Sequence, residues 1–135
     1  MIRLQKEPID ISAVERSVQD PRCGANIVFV GRTRDRFEGK RVLELHYEAY
    51  EAMAIKEMKQ IANTLLQKYT DCQISMVHRL GLVGIGEASV VIAVSTPHRK
   101  DCYEASRYAI DTLKQTVTIW KKEICEETAH WKANT

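Results

Sequence analysis

The chain has 135 residues, of which 44% are apolar and 28% charged, and a net charge of +2; this is the balance of one globular domain, read here as residues 1–135. Such a length buries roughly two-thirds of the unfolded surface without covalent staples, and no apolar run approaches the ~20 residues of a membrane helix. A charge of +2 argues for no nucleic-acid partner by itself.

The first residues, from Met1 to Glu7, hold no apolar signal core, so nothing in them directs export. Ser12-Ala13-Val14-Glu15 has the spacing of a capping box, and Ile11, Val14 and Val18 recur at helical intervals, which predicts a short helix stopped before Pro21. Between Gly24 and Gly31 the run Ile27-Val28-Phe29-Val30 predicts a buried strand. Residues 32–40 are polar, basic and punctuated by glycine, hence a loop. Leu43, Leu45 and Tyr47 alternate with Glu44, His46 and Glu48, the period of a half-exposed strand.

Over 51–69, Ala54, Met58, Ile61, Ala62, Leu65, Leu66 and Tyr69 keep the 3.6-residue period of an amphipathic helix. Residues 74–80 predict another strand. The glycines at 81, 84 and 86 are followed by Ala88-Ser89-Val90-Val91-Ile92, which is strand and not helix; a dinucleotide loop is therefore discarded and a hairpin expected. Residues 88–95 form a near-continuous apolar run suited to the centre of a sheet. Cys102, Ala105, Ala109, Ile110, Leu113 and Val117 predict a third amphipathic helix, and residues 117–131 one or two short strands. The order, roughly β-α-β-β-α-β-β-α-β, favours an α+β domain with a mostly antiparallel sheet and helices on one face.

Three basic clusters fall at element ends. Arg32, Arg34 and Arg36 follow the first apolar strand; guanidinium forks match phosphate and carboxylate, although a solvated loop explains three arginines equally well. His98, Arg99 and Lys100 precede the third helix, where Asp101 and Glu104 are candidate caps and a helix N-terminus favours anions. Lys114 and Lys121 bracket an apolar, β-branched segment that ends in Trp120-Lys121-Lys122-Glu123. A lysine against apolar surface has its pKa lowered, which suits a base or an anion clamp; taken alone, the segment fits two solvated lysines at a helix end better. Cys23, Cys72, Cys102 and Cys125 form no Cys-x-x-Cys, and His46, His78, His98 and His130 are scattered. The chain thus reads as a reduced, cytoplasmic protein with no metal site.

In this order, Gly31-x-Thr33-Arg34, Leu45-x-Tyr47-Glu48-Ala49-Tyr50 with Met53-Ala54, His78-Arg79-x-Gly81, Gly84-x-Gly86-Glu87, His98-Arg99 with Glu104-Ala105, Leu113-Lys114 and Trp120-Lys121-Lys122-Glu123 resemble the large, catalytic subunit of molybdopterin synthase. The resemblance implies an α/β hammerhead-type fold with three main helices, and a homodimer that binds a ubiquitin-like sulfur-carrier subunit at each end to make a heterotetramer. It implies sulfur transfer from the carrier's C-terminal thiocarboxylate to cyclic pyranopterin monophosphate, forming the molybdopterin dithiolene, with no cofactor of its own. By motif position Lys114 and Lys121 are the expected catalytic lysines. Arg34, His98 and Arg99 join them as expected substrate-binding residues, and Lys122 is a solvated charge.

The chain departs from that family pattern at Gln115 and Thr116, where an arginine is common, and at Thr118, where a proline is common. A basic C-terminal extension that some relatives lend to a neighbouring pocket is cut short at Thr135. Two rival readings remain from other classes. One is a non-catalytic α+β adaptor for a ubiquitin-like tail. The other is a small RNA-binding domain, which lacks an aromatic stacking motif on a strand.

Overall fold

The computed structural model describes residues 1–126. In chain order they form β1 (Ile2–Gln5), α1 (Ile11–Arg16), β2 (Ala25–Arg32), β3 (Arg36–Phe37), β4 (Lys40–Ala49), α2 (Glu51–Lys68), β5 (Gln73–Arg79), β6 (Gly81–Gly84), β7 (Ala88–Thr96), α3 (Arg99–Thr116) and β8 (Ile119–Cys125). The expectation of strand over 117–131 is met by β8; its remainder, with His130 and Trp131, lies outside the described residues, as does Thr135.

The larger sheet has the order β1-β5-β7-β2. Only β1 and β5 run parallel; β5 with β7 and β7 with β2 are antiparallel. All nine residues of β7 are buried, which requires cover on both faces. On one face Ala54, Met58, Ile61 and Leu65 of α2 and Cys102, Ala105, Ala109 and Leu113 of α3 pack on Met76, Val90, Ile92 and Val94. On the other, Val14 and Val18 pack on Val77, Val91 and Ala93. Helices therefore lie on both faces, not on one as the element order suggested. The run at 27–30 is half-buried because β2 is an edge strand, and Phe29 is 37% exposed.

A smaller sheet is built on β4, which pairs with β3, β6 and β8. Its inner face carries a third core of Val42, Leu45, Tyr47, Leu80, Val83 and Cys125. β3 lies inside the expected 32–40 loop. The glycine segment joins β5 and β7, which pair antiparallel as expected of a hairpin, but it also holds a strand of its own. β6 pairs with β4 in the small sheet, while β5 and β7 pair with each other across the gap it leaves.

The helix ends also differ from the sequence reading. Asp10, not Ser12, caps α1 by accepting from the Ala13 N–H at 3.1 Å. The residue before α3 is His98, whose side chain makes no capping bond; Glu104 instead accepts from the Tyr69 hydroxyl at 3.1 Å. Leu66 is 49% exposed, just outside the apolar stripe of α2.

Candidate functional site

Where the two sheets meet, a cavity of ≈ 210 Å³ is lined by Phe29, Arg34, Arg36, Phe37, Tyr47, Lys114, Lys121 and Glu123, among others. Arg34 arrives through a bulge at Gly31/Arg32 in the pairing of β2 with β7, which bends the strand and re-aims the residues after it. A methyl group on Gly31 would stand 2.7 Å from Cγ1 of buried Val90, so a larger residue here has to displace Val90. The turn between β6 and β7 then holds the loop. Glu87 accepts from the Thr33 N–H at 3.1 Å, the Gly86 N–H donates to the Thr33 carbonyl at 2.9 Å, and the Arg32 guanidinium donates to the Gly86 carbonyl at 2.9 Å.

That turn is anchored in its own right. Arg79, 7% exposed, donates to the Glu87 carboxylate at 2.9 Å and to the carbonyls of Lys6 and Leu82 at 3.0 and 3.2 Å. The second Glu87 oxygen accepts from the Gly84 N–H at 2.8 Å. This backbone bond and, next to it, the Arg79 guanidinium hold the Glu87 carboxyl below its usual pKa.

Lys114 comes from the last turn of α3 and Lys121 from β8. In the antiparallel register Lys121 stands opposite Tyr47, Glu123 opposite Leu45, and Lys122 opposite His46. Side chains alternate along a strand, so Lys121 and Glu123 share the inner face and Lys122 takes the other. The Lys121 ammonium lies 3.6 Å from the Glu123 carboxylate and 5.8 Å from the centre of the Phe37 ring. Lys114 is solvent-exposed as a residue, yet its pKa is lowered, first by the protein atoms that displace water around the ammonium and then by the charge of Lys121.

Beneath Tyr47, His78 is 2% exposed and stacks edge-on with the tyrosine ring at 4.9 Å. Its Nδ1–H donates to the Arg79 carbonyl at 2.7 Å. Burial pushes its pKa down to about 4, helped by Lys114 and opposed by the bond to the carbonyl. The imidazole is therefore neutral at physiological pH.

The cavity brings together Arg34, Lys114 and Lys121 of the five expected site residues. His98 and Arg99 are not in it: they open α3, and the fifteen-residue separation of Arg99 from Lys114 spans about 22 Å of helix. Phe29, Phe37, Tyr47 and Glu123 also line it, none of them an expected site residue. Glu123 was within reach of sequence reasoning, since it lies two residues beyond Lys121 on a strand. Among the described residues, neither Arg34 nor Lys114 has a carboxylate within ion-pair distance. Cations facing so few carboxylates make an anion site.

Residues 4–116 match the family model described as "MoaE protein". The chain belongs to this family. A molybdopterin synthase catalytic subunit from Drosophila willistoni is 54% identical over 136 residues, covering 98% of this chain and 37% of that protein. One of the same name from Homo sapiens is 49% identical over 134 residues, covering 99% of this chain and 71% of that protein. The chain thus spans little more than a third of the Drosophila relative. A crystal structure of molybdopterin synthase from Staphylococcus aureus has a TM-score of 0.88 at 41% identity, covering 91% of this chain and 90% of that one. The α+β fold with mostly antiparallel sheets is common to the family. Among the described residues no helix is long and apolar enough to cross a membrane.

Proposed function

We propose that the chain is the catalytic subunit of a molybdopterin synthase. It takes sulfur from the C-terminal thiocarboxylate of a small ubiquitin-like carrier subunit and adds it to cyclic pyranopterin monophosphate. The observation that carries this reading is one cavity holding Lys114, Lys121 and Arg34, with the pKa of Lys114 lowered by burial and by Lys121. The family relatives supply the reaction.

In this reading Arg34 and Arg36 balance the negative charge of substrate and carrier terminus. The carrier's thiocarboxylate sulfur attacks a substrate carbon and a carbon–oxygen bond breaks as the carbon–sulfur bond forms; water then cleaves the acyl carbon–sulfur bond, leaving the sulfur on the substrate and a carboxylate on the carrier. Lys114, more readily neutral than an ordinary lysine, accepts a proton, and Lys121 as a cation stabilises charge developing on oxygen. At ≈ 210 Å³ the cavity is small against the roughly 300–1,000 Å³ of ligand pockets. It suits one anionic group and its immediate neighbours. The chain works as a homodimer that carries one carrier subunit at each end, and His98 and Arg99 lie outside this cavity. The reaction runs in the cytoplasm, where the four free cysteines stay reduced.

The test is a reconstituted assay with purified chain, thiocarboxylated carrier and cyclic pyranopterin monophosphate, following dithiolene formation. Replacing both Lys114 and Lys121 by alanine abolishes product in this reading. Product that survives the double substitution removes the mechanism. Carrier binding without turnover by the unaltered chain would favour the adaptor reading instead.

A further inference from the structure

Lys114 and Lys121 reach the cavity from different elements, so their spacing depends on the junction between α3 and β8. That junction is short. The helix ends at Thr116, the Val117 N–H still bonds back to the Leu113 carbonyl at 3.2 Å, and the strand starts at Ile119. Thr118 is the one residue between Val117 and Ile119, spanned by the bond from the Ile119 N–H to the Val117 carbonyl at 2.8 Å. Three hydrogen bonds hold it, all to residues distant in sequence. Its carbonyl accepts from the Tyr50 N–H at 3.2 Å, and its N–H and hydroxyl donate to the same carboxylate oxygen of Glu57, at 2.9 and 2.7 Å.

Glu57 sits in the second turn of α2, one residue before Met58, which is fully buried in the main core. Its half-buried side chain therefore projects from a rigid helix. A carboxylate accepting two donors on one oxygen fixes the direction of the Thr118 N–H as well as its distance. The backbone orientation at Thr118 fixes how the end of α3 meets β8, whose pairing with β4 places Lys121 opposite Tyr47, and so sets the spacing of Lys114 from Lys121.

We propose that Glu57 is a positioning residue for the two cavity lysines: by clamping the N–H and hydroxyl of Thr118 it fixes the turn that carries Lys114 and Lys121 into one cavity. Glu57 does not line that cavity and touches neither lysine, so it acts through the junction. The inference rests on the reading of the cavity as the working site.

The experiment compares Glu57→Ala, Glu57→Gln and Thr118→Val in the full chain. Two readouts are taken: the pH dependence of Lys114 acetylation by acetic anhydride, resolved by peptide mass spectrometry, and the rate of dithiolene formation. Alanine removes the acceptor of both bonds while keeping a good helix former, so the fold survives. Glutamine keeps a carbonyl oxygen for both donors, and valine at 118 removes only the hydroxyl bond. Glu57→Ala is expected to move the Lys114 profile to higher pH, toward an ordinary lysine, and to lower kcat on the order of tenfold with KM changed less. Glu57→Gln restores both, and Thr118→Val falls between. A Lys114 profile unmoved by Glu57→Ala, or glutamine behaving as alanine does, overturns the proposal. The acetylation readout needs no turnover. If Lys114→Ala leaves transfer intact, it is the working-site reading that fails, whatever the acetylation profile shows.

Discussion

The two walls of the cavity are held by different means. The arginine wall is a loop whose path is fixed by backbone hydrogen bonds between Thr33 and the Gly84–Glu87 turn, with buried Arg79 bracing that turn from behind. The lysine wall consists of a helix and a strand, both anchored in packed cores through Leu113 and Cys125, and joined at Thr118. Loops supply adaptable recognition, and regular elements hold reacting groups to tighter tolerance. In the proposed reading the arginine wall gathers anions and the lysine wall carries the chemistry.

Kinetics separate the walls most sharply. Lys114→Ala is expected to lower kcat by about 10²–10⁴-fold, the range for losing a general acid or base, with little change in KM. Arg34→Ala is expected to raise KM by about tenfold while kcat moves less, because a charge that binds ground state and transition state alike is lost. Steady-state rates for both variants check the contrast, and an inverted pattern breaks it.

Below both walls, His78 provides a thermodynamic test. Its folded pKa of about 4 lies below the ordinary histidine value of 6.5, so the unfolded chain binds the extra proton first as pH falls. The stability it contributes is complete above about pH 6.5 and is lost on the way down to about pH 4. The loss is on the order of 3 kcal/mol, from 1.36 kcal/mol for each pKa unit. Urea unfolding across that window should show a slope that His78→Phe flattens. An unchanged slope would mean that other groups govern acid stability.

The smallest effect lies within the lysine wall. Lys121→Met removes the like charge beside Lys114 but leaves the desolvation, which is the larger cause of its lowered pKa. The Lys114 pKa should therefore rise part of the way to its usual value, and the basic shift of its acetylation profile reads this out. A downward shift would mean that Lys121 does not act on Lys114 through its charge.

Much of this arrangement was legible in local pattern. The helical period placed α2 and α3, and the unbroken apolar run at 88–95 marked β7, because periodicity reports which faces are buried. The short elements were not legible. β3 has two residues and β6 four, two of them glycine, too few to show a period; each is a strand because β4 offers hydrogen-bonding groups beside it. Asp10 took the cap of α1 from Ser12 because its carboxylate reaches the Ala13 N–H.

The site divides along the same line. Arg34, Lys114 and Lys121 stood out as cations at element ends and by motif, and Glu123 follows from strand alternation. Arg79 and Glu87 entered only as motif residues with no role assigned, and Glu57 carried no signal at all, since Arg79 reaches Lys6 across 73 residues and Glu57 reaches Thr118 across 61.

By itself the sequence determined the kinds of elements, the apolar faces they bury, the family and the cations offered to an anionic ligand. All of these follow from residue type and short-range spacing. Tertiary structure alone decided which cations share a cavity, that His98 and Arg99 stand at the far end of α3 from it, and that one carboxylate on α2 holds the joint between the two lysines. Those outcomes depend on strand register and on hydrogen bonds between distant segments, which form only once the sheets have packed.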